Sequence, residues 1–140
     1  MRNPWKVAAL LLVLALSCTK PPSTTPASAE PEAIARTEFT DRIENFFEYE
    51  PLKAANASQF RIHLTDLSDG SPVEKADVSL TVRRAGAAET VAQTTAEVGK
   101  VTGIYVAELH IPQTGLYDVE FRIKNAKLDE RLSLSGFKVE

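Results

Sequence analysis

Alternation of apolar and polar residues is the feature that most constrains the fold of this chain. Four segments carry an apolar side chain at every second position: 59–67, 77–83, 104–111 and 117–124. Successive side chains of a strand point to opposite faces, so a period of two predicts β-strands with one buried face. Less regular segments at 43–49, 90–95 and 131–139 are also typical of strands. The sequence therefore predicts about seven strands.

Short turn-forming segments separate these strands, and no long helical periodicity interrupts them. Seven short strands with turns at near-regular spacing favour an antiparallel β-sandwich of immunoglobulin type over a barrel. We expect this all-β domain to occupy residues 37–140. The entry Gly115-Leu116-Tyr117 into a strand resembles the G-x-Y entry common in such sandwiches. Cys18 is the only cysteine, so no disulfide within the chain can support the fold.

The N-terminal segment has the features of a lipoprotein signal. Arg2 and Lys6 precede an apolar run, and the small residue Ser17 stands directly before Cys18. The apolar run is about ten residues long, too short to span a bilayer, which takes roughly 20. We therefore expect a signal peptide at 1–17 and lipid on Cys18 that anchors the protein to a membrane. An ordinary secretory signal with a nearby cysteine is the alternative.

Residues 18–36 predict a tether. This stretch is rich in Pro, Ser, Thr and Ala, and Ile34 is its only large apolar side chain. Such a composition buries too little surface to offset the entropy of ordering, so we expect a disordered, extended linker. Thr19 follows Cys18. By resemblance to Gram-negative lipoproteins, the absence of Asp at that position implies the periplasmic face of the outer membrane.

Charge and composition argue against several functional classes. Without Arg2 and Lys6, 14 basic side chains stand against 19 acidic ones, with no block of like charges. This balance does not indicate binding to nucleic acid. A hydrolase would need a nucleophile, a base and an orienting acid together, and the sequence suggests no such set. We expect no enzymatic activity and no cofactor, and the sequence does not indicate an oligomeric state.

His63 and His110 are the only histidines, and both fall on the polar faces of predicted strands. Neutral imidazole binds transition metals, so these two residues form a candidate metal site. Exposed strand histidines without a ligand are the alternative. A shared site requires neighbouring strands with the two Cβ atoms about 5–6 Å apart, as in a cross-strand pair.

Aromatic residues on the strand 43–49 form a candidate interaction site. Phe46, Phe47 and Tyr49 place an aromatic ring on both faces of the strand, so one ring could remain outside the core. Glu44, Glu48 and Glu50 would surround it. Packing of these rings in the core is the alternative reading.

Two segments follow a more specific pattern. One fits a T-x-x-T-x-x-x-E-x-F-x-E-Y-x-P-L opening, through Thr37, Thr40, Glu44, Phe46, Glu48, Tyr49, Pro51 and Leu52. The other fits an R-F-x-x-H-L-T-x-L-S strand, through Phe60, His63, Leu64, Thr65, Leu67 and Ser68, and departs from it at Gln59. The resemblance is to the N-terminal periplasmic domain of adaptor (membrane fusion) proteins of heavy-metal resistance-nodulation-division (RND) efflux systems. It implies a non-enzymatic binding module associated with an efflux system and its proteins. The alternative function is a metal-binding periplasmic domain that captures a soft cation through His63 and His110 for efflux.

Overall fold

The computed structural model describes residues 30–140. Within them nine strands and no helix form: β1 (Ile34–Phe39), β2 (Ile43–Tyr49), β3 (Ala57–Asp66), β4 (Asp77–Arg84), β5 (Thr90–Thr95), β6 (Glu97–Val98), β7 (Ile104–His110), β8 (Gly115–Lys124) and β9 (Asp129–Val139). All seven predicted strands are present. The predicted signal peptide, Cys18 and the tether up to residue 29 lie outside the described residues.

The strands form two antiparallel sheets that face each other. The five-stranded sheet has the order β1-β2-β3-β7-β6, and the four-stranded sheet has the order β5-β4-β8-β9. The chain passes between the sheets after β3, after β5 and after β7, so β3 pairs with β7 and β4 with β8. This all-β, two-sheet arrangement confirms the predicted antiparallel sandwich.

The core lies between the sheets and is built from the alternating side chains that the sequence indicated. On β3 and β8 every second residue is buried, including Phe60 and Phe121. Phe47 of β2 packs against Phe121 of β8, with ring centroids 4.8 Å apart, so this pair joins the two sheets. Aromatic contacts of this kind add about 0.5–1.5 kcal/mol beyond the area that they bury.

Tyr117 secures the start of β8. Its ring is buried, and its hydroxyl donates a hydrogen bond to the carbonyl oxygen of Gln113, 2.8 Å away. A tyrosine that bonds back to the backbone a few residues upstream is the tyrosine corner of immunoglobulin-like sandwiches. The G-x-Y entry that the sequence contains therefore forms this corner in the structure.

The start of the domain corrects the predicted boundary. Strand β1 begins at Ile34, so the last three residues assigned to the tether belong to the five-stranded sheet. Arg36 lies over the ring of Phe137 on β9, 4.9 Å from its centroid, and donates to the carbonyl oxygen of Ser135 at 3.0 Å. The contacts that hold β1 in place come from the opposite sheet. The composition of the β1 segment alone therefore did not indicate a strand.

In the part of the chain that the structure describes, no helix has the length and apolar character needed to cross a membrane.

Candidate functional site

The outer face of the five-stranded sheet carries a row of side chains from four adjacent strands. Thr37 of β1 lies opposite Phe46 of β2, Phe46 lies opposite His63 of β3, and His63 lies opposite Ile104 of β7. Phe46, His63 and Ile104 are partly exposed. We call these four residues the Phe46–His63 row.

His63 is held within this row by two contacts. Its ring meets the ring of Phe46 edge-on, with centroids 5.2 Å apart and an interplanar angle of 66°. Its Nε2 atom lies 3.9 Å from Oε2 of Glu48, which is within ion-pair range but too long for a hydrogen bond. Nε2 itself is shielded from solvent and has no hydrogen-bond partner among the described residues. The imidazole therefore packs as a flat, largely apolar part of the surface.

His110 lies on the same outer face but at the other end of β7. It pairs with Ala57, whereas His63 pairs with Ile104, so the two histidines are six positions apart along neighbouring strands. At about 3.3 Å per residue this separation is roughly 20 Å. Nε2 of His110 also donates to the carbonyl oxygen of Ala55 at 3.0 Å.

This geometry corrects the prediction of a shared metal site. Two imidazoles so far apart cannot bind one ion within a single molecule. No group of three or more His, Cys, Asp or Glu side chains among residues 30–140 is placed to hold a metal ion.

The structure also separates the three aromatic residues of the predicted interaction site. Phe47 is fully buried and Tyr49 is 7% exposed, and both point into the core. Burial raises the pKa of the Tyr49 phenol, although the nearby Arg36 opposes this effect. These two residues are therefore core residues, and the prediction that they bind a partner is wrong. Phe46 has the opposite parity on β2 and reaches the outer face.

Acidic side chains surround the Phe46–His63 row. Register places Glu44, Glu48 and Glu108 on the outer face, and Glu97 of β6 lies opposite Val106 of β7 on the same face. Sequence reasoning grouped Glu44, Glu48 and Glu50 but missed Glu97 as part of this surface. A strand of two residues has no recognisable alternation, so only the pairing of β6 with β7 places Glu97 there.

A separate cleft lies between the β3–β4 connection and the β8–β9 turn. It measures about 510 Å³, and Asp66, Asp69 and Lys127 line it. Asp66 accepts hydrogen bonds from the backbone and hydroxyl of Ser68, and Asp69 accepts the same pair from Ser71. These bonds lower the pKa of both carboxyl groups. The two carboxylates therefore stabilise a turn.

Comparison with known proteins identifies the family. The model of the YtkA-like family matches residues 40–122, more than half of the chain. The chain belongs to the YtkA-like family. Among solved structures, the ZirS C-terminal domain is a match, with 15% sequence identity and a TM-score of 0.43 over 96% of this chain and 87% of that one. No curated protein matches this sequence.

The family match covers strands β2 to β7 and most of β8. It includes Phe46, His63 and Ile104 of the Phe46–His63 row and the acidic residues around them, whereas Thr37 lies before the matched residues. The part of the chain that matches the YtkA-like family is all-β. The family match does not test the resemblance to efflux adaptors. The association with RND efflux systems therefore rests on the sequence resemblance alone.

Proposed function

We propose that this YtkA-like protein is a lipid-anchored lipoprotein of the cell envelope, and that its β-sandwich is a non-enzymatic binding module associated with a heavy-metal RND efflux system. Cys18 carries the anchor in this proposal, and the domain faces the periplasm from the outer membrane. The N-terminal sequence supports the anchor, and the fold and family support a compact β-domain.

One observation supports the binding role above the others. The segments that resemble efflux adaptors contain surface residues whose identity core packing does not require. Six of them lie together on the outer face of the five-stranded sheet: Thr37, Glu44, Phe46, Glu48, His63 and Thr65. A shared binding function would require these surface residues to lie together. A shared fold alone would require only that the buried residues match.

Capture of a soft cation through His63 and His110 together is not part of this proposal, because the register of β3 and β7 keeps the two imidazoles apart. The site offers a partly apolar row with carboxylates around it, which suits contact with a protein surface.

Lipidation is tested by labelling cells with a palmitate analogue. We expect the wild-type chain to incorporate the label and to fractionate with membranes, and Cys18→Ala to lose both properties. Incorporation of label into Cys18→Ala would contradict the anchor. Loss of membrane association without any label in the wild type would indicate an ordinary secreted protein.

The binding role is tested in cells that also express an RND pump and its adaptor. A photo-crosslinking amino acid replaces Glu48 on the outer face of the five-stranded sheet, and a matched variant carries it at Ser79 on the outer face of the other sheet. We expect crosslinks to an efflux subunit from position 48 and none from position 79. Absence of crosslinks to efflux proteins from any position would contradict the association.

A further inference from the structure

We propose that the outer face of the five-stranded sheet binds a positively charged protein segment that also carries an apolar side chain. This inference rests on the proposed binding function and adds the surface and the chemistry of the partner.

The charge on this face is strongly one-sided. Its carboxylates greatly outnumber its cations: against Arg61, the one Lys or Arg side chain that register places on this face, stand Glu44, Glu48, Glu50, Glu97 and Glu108. Arg61 lies opposite Glu48 in the register but forms no ion pair within 4.0 Å with any described residue. Within residues 30–140 the only basic side chain with a nitrogen within 4.0 Å of any of these carboxylates is His63, whose Nε2 lies 3.9 Å from Glu48. The negative charge of the face is therefore largely uncompensated.

The outer face of the four-stranded sheet is a natural comparison within the same molecule. Its charges nearly balance: the cations are Arg83, Arg122, Lys124, Arg131 and Lys138, and the carboxylates are Asp77, Asp118, Glu120 and Asp129. Three ion pairs compensate charge there: Arg83 with Glu120 at 3.6 Å, Arg122 with Asp129 at 3.4 Å and Lys138 with Glu140 at 2.7 Å. A general need for solubility would distribute negative charge over both faces, so its concentration on one face indicates a specific use.

Apolar side chains lie among the carboxylates. A simple cation would pair with the carboxylates but would leave these apolar side chains exposed to water. Phe39, opposite Glu44, is 62% exposed, and Phe46, Ile104 and Val106 are partly exposed along the same face. An interface of apolar contacts within a charged rim is the usual anatomy of protein recognition. Lys and Arg side chains of the partner would meet the carboxylates, and an apolar side chain would cover Phe39 and Phe46. Anionic lipid headgroups and nucleic acids would be repelled.

The probe is a short fluorescent peptide rich in lysine and containing phenylalanine, titrated into the full chain in non-ionic detergent. We expect binding that weakens as salt rises, because exposed charges are screened over about 8 Å at physiological ionic strength. A second peptide with serine in place of phenylalanine should bind more weakly, and a third with glutamate in place of lysine should not bind. Failure of the first peptide to bind the wild-type protein would overturn the proposal.

Matched variants locate the binding surface. Glu48→Gln with Glu108→Gln removes two charges from the acidic face, and Asp77→Asn with Asp118→Asn removes two from the other face. We expect roughly a tenfold or greater loss of affinity in the first pair and little change in the second. Likewise, Phe39→Ser should weaken binding and Leu116→Ser should not, since Leu116 is equally accessible at 56% exposure but lies on the other sheet. Equal losses in both charge pairs would show that overall charge alone attracts the peptide, which would overturn the proposal.

Size-exclusion chromatography separates two further outcomes. Concentration-dependent dimers that disappear in the Glu48→Gln, Glu108→Gln variant would assign the face to a second copy of this chain and overturn the proposal of a cationic partner. The crosslinking experiment distinguishes the proposed efflux association from the proposed binding face. Crosslinks to efflux subunits from another surface would retain the binding function and reject this face, whereas peptide binding at this face without such crosslinks would reject the efflux association alone.

Discussion

The hydroxyl of Tyr117 donates a 2.8 Å hydrogen bond to the carbonyl oxygen of Gln113, whereas the hydroxyl of Tyr105 forms two buried bonds. Tyr105 donates to the carbonyl of Val73 at 2.8 Å and accepts from the amide of Ala76 at 3.1 Å. A hydrogen bond contributes about 0.5–1.5 kcal/mol, and an unsatisfied buried partner costs about 1–3 kcal/mol. We therefore expect Tyr105→Phe to lower the free energy of unfolding more than Tyr117→Phe does. Urea denaturation measures both, and equal losses would contradict the assignment.

Gly103 occupies a position where a side chain is excluded for two reasons. Its φ is +81°, and an added Cβ would lie 2.5 Å from Cβ of Pro72. A left-handed residue costs about 1–2 kcal/mol, and overpacking adds about 1–3 kcal/mol. Gly86 has a similar φ of +76° but open space around it. We expect Gly103→Ala to lower the melting temperature clearly more than Gly86→Ala, and similar values for both would show that Pro72 moves aside at little cost.

Asn45 is fully buried, and neither its amide nitrogen nor its amide oxygen has a hydrogen-bond partner among the described residues. It lies opposite Leu64 on the core side of β2. Burial of an unpaired polar group costs about 1–3 kcal/mol, and a β-branched residue suits a strand. We therefore expect Asn45→Val to raise the melting temperature by several degrees, and Asn45→Ala, which leaves a cavity, to raise it less. A drop in melting temperature in Asn45→Val would indicate that a buried water satisfies the amide.

Acid should weaken the fold through the turn carboxylates. Hydrogen bonds from Ser68 and Ser71 lower the pKa of Asp66 and Asp69 in the folded state. Their stabilising contribution is therefore fully present above the unfolded pKa of about 3.9, and it is lost as pH falls through the lower folded pKa. We expect the urea midpoint to be steady from neutral pH down to about 5 and to fall below about 4.

The control for this acid effect is Asp66→Asn with Asp69→Asn, which retains acceptor oxygens but does not titrate. Its midpoint should fall less steeply than that of the wild type at acid pH. Identical slopes would assign the acid sensitivity to other groups. Both carboxyl groups are exposed, so added salt should reduce the difference.

Metal titrations test the separation of the two histidines. If one ion bound both imidazoles, His63→Ala and His110→Ala would each abolish the same binding event. Because register keeps them about 20 Å apart, we expect any binding of zinc, nickel or copper(I) to be weak and the two substitutions to act independently. Isothermal titration of both single variants and the double variant measures this. Complete loss of a tight site in either single variant would instead indicate a site formed between molecules.

The sequence by itself determined the seven principal strands and, in the four regular ones, which side chains share a face. The alternation in 59–67 and 117–124 correctly placed Phe60 and Phe121 in the core, because the two faces of a strand are set by the local backbone. The entry at Tyr117 and the all-β class followed from equally local signals.

Only the tertiary structure decided which side chains share a surface. Strand β1 is held against the opposite sheet by Arg36, and β6 is placed by its two pairs with β7. Because long-range contacts form these two strands, neither has an alternating sequence pattern that would have predicted it. Phe46 and Phe47 are adjacent on β2, so their side chains point to opposite faces, but the sequence does not say which face meets the core. The structure places Phe46 outside and Phe47 inside. Register separated His63 from His110 and brought Glu97 to the acidic face. Register depends on pairing between residues distant in the chain, and a period of two constrains it only to within steps of two residues.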